Sequence, residues 1–253
     1  MKNLIKAEWF KLTKSQVFRV LLVINLTASV LLTLLLTQAG MARTGYRAFH
    51  LGIAYLFYHI HIGLVFTAVF WCEDFSNKSF GKSLLSGFSR MKIFFAKVII
   101  FWVGMILLFL SFACSAAIAS SLLNGFGMDF NVEIFKHILF FAFCGILGCI
   151  SMSSVMILIS TIVKSKIPTI MVIYLLFFPF EYLKNNYRFY ENGEDILKFL
   201  KYTYVYQINT MYTNQDSMMI HRFQPELFLQ VNILTIILSL CIGLIIFEKT
   251  EFK

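Results

Sequence analysis

Long apolar runs separated by short charged stretches set the pattern of this chain. Six of them, residues 17–37, 51–71, 94–122, 136–162, 167–183 and 227–247, are long enough to cross about 30 Å of hydrocarbon at about 1.5 Å per residue. Each predicts a helix, because a chain in lipid must satisfy its own backbone hydrogen bonds. The third and fourth runs include wet ends. The fifth is short, begins at Pro168, where proline suits a first helical turn, and meets Pro179 further on. The expected fold class is therefore an all-α integral membrane protein with six transmembrane helices. A single domain over residues 1–253 is expected, with no internal repeat and no linker.

Three stretches between the runs carry a pattern of their own. In residues 2–18, Leu4, Ile5, Trp9, Leu12 and Phe18 fall near one helical face, with Lys2, Lys6, Lys11 and Lys14 largely elsewhere. This predicts an amphipathic helix lying in the headgroup plane, the plainer alternative being a positively charged flank of the first span. Trp71 to Lys97, WCEDFSNKSFGKSLLSGFSRMKIFFAK, forms a charged island. It carries Glu73, Asp74, Lys78, Lys82, Arg90, Lys92 and Lys97, and each charge at the centre of a bilayer would cost about 2.5–3.5 kcal/mol. Its wet part, the loop 72–93, predicts a docking element in water. The loop 184–226 contains ILKFLKYTYVY at 196–206, too charged to span and too apolar to float, which predicts an interfacial or re-entrant helix.

Charge then orients the chain. Basic residues collect at the N-terminus, in the island, at Lys164 and Lys166, and at Lys249 and Lys253. By the positive-inside bias these segments are cytoplasmic, and an even number of spans keeps both termini inside. The last outer loop runs against the bias with Lys184, Arg188, Lys198, Lys201 and Arg222, partly offset by its acids. Composition agrees with a membrane protein: 59% hydrophobic, 17% aromatic and 14% charged residues, with a mean hydropathy of +0.77. The net charge of +9 sits at the ends of apolar runs and forms no patch with interleaved aromatics, so nucleic acid is not the expected partner. Cys72, Cys114, Cys144, Cys149 and Cys241 are odd in number and lack C-x-x-C spacing, which predicts buried free thiols. The first run exceeds the roughly 7–15 residues of a signal-peptide core, so it is expected to stay as a span.

Catalytic motifs are near misses. Gly81-Lys82-Ser83 has Ser76 where a phosphate-binding loop needs glycine, and Leu85-Ser86-Gly87 continues with Phe88-Ser89 where an ATPase signature has glycine and glutamine. His59 and His61 stand about 200° apart on a helix, which argues against a shared metal. Gly87-x-Ser89 ends in Met91 instead of glycine, and no H-E-x-x-H occurs. No enzyme activity, bound cofactor or metal is expected of the chain. Tyr55, Tyr58, His59 and Ile62 align as a partly polar stripe that faces a cavity, a partner helix or simply the core. Glu181 lies two residues past Pro179 at a span end.

Glu73 or Asp74, Ser79 to Lys82, Leu84-Leu85-Ser86, Ser89-Arg90-Met91-Lys92-Ile93, Lys97 and the tail Phe247 to Phe252, in this order and with this topology, make the chain resemble ABC-2 type transporter permeases over nearly its whole length. The resemblance implies a six-span bacterial plasma-membrane subunit that pairs with a second permease chain, identical or not. Each docks an ABC ATPase, two copies per transporter, which binds the ATP and Mg. The coupling helix would be roughly Glu73 to Ser86, with Glu73, Asp74, Lys78, Phe80, Lys82, Leu85 and Arg90 as coupling residues. A substrate cavity between spans two and five would involve Tyr55, Tyr58, His59, Phe177 and Glu181. Export of an amphipathic peptide or hydrophobic toxin is the expected function, and an ATP-independent immunity protein that sequesters a bacteriocin is the alternative.

Overall fold

The computed structural model describes residues 1–40, 44–54, 59–77, 79–127, 132–186, 202–203 and 224–251. Every regular element among them is an α-helix: α1 (Lys2–Lys14), α2 (Gln16–Gln38), α3 (Gly45–Ala54), α4 (His59–Phe70), α5 (Cys72–Ser76), α6 (Ser79–Leu85), α7 (Arg90–Asn124), α8 (Val132–Val163), α9 (Lys166–Asn186) and α10 (Pro225–Lys249).

Four of these, α2, α7, α8 and α10, are long and apolar enough to cross a membrane. The expected second span is described as α3 and α4, with residues 55–58 between them outside the described residues. The fifth run lies in α9, a helix that carries Pro179 inside it. The expected re-entrant helix at 196–206 lies outside the described residues except for Tyr202 and Thr203. The amphipathic helix ends four residues earlier than its pattern predicts. Ser15 turns extended and its hydroxyl accepts the Phe18 N–H at 3.2 Å, so Phe18 belongs to the first turn of α2.

The centre of the fold is α7, against which α1, α2, α3, α8 and α10 all pack. Its buried face runs from Ile93 through Phe101, Met105 and Phe109 to Ala116. On α2, Asn25, Ser29 and Thr33 repeat every four residues and are all buried. Asn25 Nδ2 donates to the Leu108 carbonyl at 2.5 Å, and Ser29 Oγ donates to the Phe112 carbonyl at 2.7 Å. Polar side chains that bond across helices in this way bind them together where lipid supplies no hydrophobic drive. Gly52 lets α3 approach closely, since a Cβ there would stand 2.7 Å from the Ala113 Cα. The other faces of α2, α9 and α10 expose Leu31, Leu35, Leu175, Phe178, Leu234 and Ile245. A face this apolar suits hydrocarbon. All five cysteines are free, but Cys114 and Cys241 are exposed rather than buried, so the expectation of buried thiols holds for Cys72, Cys144 and Cys149 alone.

Successive long helices run back and forth and leave two ends. One gathers α1, the island, the α8–α9 turn and the C-terminal tail. The α8–α9 turn is tight: Lys164 takes a left-handed φ of 61° and its N–H bonds the Ser160 carbonyl. At the other end the Gly45 and Tyr46 N–H groups donate to the carbonyls of Gly125 and Phe126, each at 3.1 Å.

Candidate functional site

The island folds into two short helices, α5 and α6, in place of one continuous helix from Glu73 to Ser86. Beneath them sits a compact charge cluster. Lys97, on the second turn of α7, is 1% exposed, so its ammonium must be neutralised where it lies. Nζ is in direct contact with Asp74 Oδ2 of α5 and lies 3.6 Å from Glu8 Oε2 of α1. Lys11 closes the set, 2.6 Å from Glu8 Oε1 and 3.4 Å from Asp74 Oδ2. Two acids and two bases therefore balance within one site. The rings of Phe70, Phe80 and Trp71 surround the Lys97 ammonium at 4.6, 5.3 and 5.8 Å from their centroids, within cation–π range.

Helix α1 supplies its part through spacing. Leu4, Glu8 and Leu12 stand four apart on one face, the two leucines buried and Glu8 partly so. Trp9, expected on the apolar face, is exposed, as suits a helix in the headgroup plane. Burial would raise the Asp74 carboxyl, but Lys97 and Lys11 beside it hold it below the usual carboxylate range. Burial would likewise lower Lys11, and the charges of Asp74 and Glu8 outweigh it, so its ammonium titrates above the usual lysine value.

Further ties fix the island to the rest of this end. Trp71 Nε1 donates to Thr161 Oγ1 of α8 at 3.1 Å, and Cys72 Sγ lies 3.4 Å from Thr169 Oγ1 of α9. Glu73 pairs with Lys166 at 3.5 Å. Arg90 donates to the carbonyls of Glu248 and Thr250 in the tail. Phe80 packs edge-on to Phe247 of α10 at 5.0 Å, with Phe75 and Phe94 beside them. What the arrangement does is tie α1, α5 and α7 together by ion pairs, with Phe80 of α6 packed over the Lys97 ammonium.

The residues expected to couple thus divide by position. Asp74 and Phe80 are buried in the cluster, whereas Glu73 is half-exposed and Lys82 is exposed. Leu85 is 91% exposed at the end of α6. Lys78 lies outside the described residues. Of the cavity residues, Tyr55 and Tyr58 also lie outside them, as does the side chain of Glu181 within α9. His59 is buried with its ring against Phe109 and Phe112, and Phe177 is buried in the main core. Glu8 is the member of the cluster that the hydrophobic pattern passes over. Its signal is an acid at the centre of the Leu4–Leu12 face, opposite a lysine set among Phe94, Phe95, Val98 and Ile99 that requires a counter-ion.

A family model described as "ABC-2 family transporter protein" matches residues 4–180. No curated protein shows significant similarity to the chain. The matched stretch contains the whole charge cluster and ends within α9.

Proposed function

The chain belongs to the ABC-2 transporter family, and from that premise we propose that it is the permease subunit of an ATP-driven exporter, worked through the island by a separate ATPase. Family membership makes it a transport subunit in a membrane and implies an ATPase partner. The finer reading is a six-span subunit with both termini in the cytoplasm of a bacterium. It pairs with a second permease chain, docks one of two ATPase copies and moves an amphipathic peptide or hydrophobic toxin.

The observation that carries this reading is the charge cluster. A subunit pressing on the half-exposed Glu73 and on the exposed Lys82 and Leu85 moves α5 and α6. Through Asp74 and Lys97 that movement reaches α1 and α7 together, and α7 is the helix around which the others pack. Two roles follow for residues treated alike in the sequence: Glu73, Lys78, Lys82 and Leu85 meet the ATPase, whereas Asp74, Phe80 and Arg90 brace the island from behind. A substrate path between spans two and five, beside Tyr55, Tyr58, His59, Phe177 and Glu181, is supported by the packing of α4 on α9, where the His61 and Tyr174 rings lie 6.0 Å apart.

The test is co-purification with a cognate ABC ATPase, followed by ATP hydrolysis in lipid vesicles. Leu85→Asp with Lys82→Glu is expected to abolish both binding and permease-stimulated hydrolysis, while expression and thermal unfolding stay as in the parent. Undiminished ATPase binding by that variant, or protection against a toxin in cells lacking every neighbouring ATPase, would overturn the proposal.

A further inference from the structure

A groove of about 470 Å³ lies between α2, α4 and α7, with Asn25, Ala28, Leu32, His59, Ile62 and Phe112 in its wall. That volume falls within the range of small-molecule sites, as does an apolar lining with few polar groups. Ala28 is exposed, so the groove opens on the side of the helix bundle. Asn25 stands nine residues into α2, about 14 Å along it, close to half the hydrocarbon thickness of about 30 Å.

The polar atom at stake is Asn25 Oδ1. Asn25 is fully buried, and its amide orientation is fixed because the Leu108 carbonyl can only accept and Nδ2 donates to it at 2.5 Å. Nδ2 also donates to Ser111 Oγ at 2.9 Å. Oδ1 is thereby left buried with no donor, on a residue in the wall of the groove. A buried carbonyl oxygen without a donor is a standing penalty, and in hydrocarbon no water relieves it. His59, packed edge-on to Phe112, gives the groove its other polar group.

We propose that this groove binds a bilayer-dissolved amphiphile that carries one hydroxyl or amide N–H on an apolar body and donates it to Asn25 Oδ1. A lone donor in hydrocarbon has no partner there, so the matched acceptor selects it. An ordinary phospholipid does not qualify, since its polar head stays at the interface, about 15 Å from this depth. The site needs neither ATP nor an ATPase, and so stands apart from the coupling argued above.

The probe is a long-chain alcohol bearing a photoactivatable diazirine, added to the full chain in lipid nanodiscs beside its methyl ether, which keeps the apolar body and lacks the donor. The alcohol is expected to label the peptides around Ala28, Leu32 and Ile62 at least about tenfold more than the ether, the discrimination of one well-made hydrogen bond. Asn25→Leu is expected to bring alcohol labelling down to the ether level. Because Asn25 also holds α2 to α7, Ala28→Trp is the second variant: it fills the groove from its exposed rim, leaves the Asn25 bonds in place, and is expected to lose the labelling with unchanged elution and unfolding temperature. Equal labelling by alcohol and ether, or undiminished labelling of Ala28→Trp, overturns the proposal.

Discussion

The two ends of the bundle are fastened by different means. At the island end, four charged side chains from three helices meet at a site that hides a lysine, and a guanidinium clamps the tail. At the other end, two backbone hydrogen bonds join the start of α3 to the end of α7. Rings of Tyr46 and Phe141 enclose His50 there, at 4.4 and 4.5 Å between centroids. A buried charge pair is selective about its partner and heavily penalised when separated, whereas a backbone clasp depends on little of the sequence. The island end is therefore fastened by particular side chains, and the other end by a clasp that many sequences could supply.

The largest expected effect comes from splitting the charges. Asp74→Ala leaves Lys97 buried with only the more distant Glu8, and should lower unfolding stability in detergent by about 3–5 kcal/mol. Asp74→Leu combined with Lys97→Met should recover most of that loss yet still uncouple ATP hydrolysis. If the pair variant stayed as unstable as the single one, the cluster would be a packing feature and not an electrostatic one. Acid should act on the same bond. Because the folded Asp74 carboxyl titrates below its unfolded value, its contribution is full above about pH 4 and fades as pH falls through the folded value. Lys11 is raised, so its contribution is full below about pH 10 and fades above its folded value. Hydrogen exchange across α1 and α5 should rise toward both extremes, and a flat profile would contradict the assignment.

A smaller effect is expected at the other end. Gly52→Val should destabilise by about 1–3 kcal/mol, because its side chain would press on the Ala113 backbone, and thermal unfolding would register it. The smallest belongs to the Glu73–Lys166 pair, whose side chains are 40% and 44% exposed. Lys166→Ala should change stability by less than about 1 kcal/mol, and less still at high salt. A loss as large as that of Asp74→Ala would mean that the ties of the island are not ranked by burial.

Much of this was legible in the sequence because the bilayer simplifies the reading. Apolar runs mark helices wherever the solvent is lipid, and the basic island stands out against them. The amphipathic pattern of α1 was visible, but a hydrophobic tally could not see that Glu8 and not Trp9 shares the inward face with Leu4 and Leu12. That choice is made by a lysine almost ninety residues away, which needs an acid from another helix. The split of α5 from α6 was equally hidden, since Glu73 to Ser86 has one continuous charged character. Nothing in the sequence around Asn25 says which way its amide turns, because the carbonyl that fixes it, that of Leu108, belongs to another helix.

One residue, Ser15, separates α1 from α2, and its hydroxyl locks the bend. With no slack between them, the two helices have the form of a bell crank, the first arm seated on the charge cluster at Glu8 and the second running past Asn25. The mouth beside Asn25 lies on that second arm, ten residues past the bend and about 15 Å along it at about 1.5 Å per residue, so the seat of α1 on the charge cluster also fixes the wall of that opening.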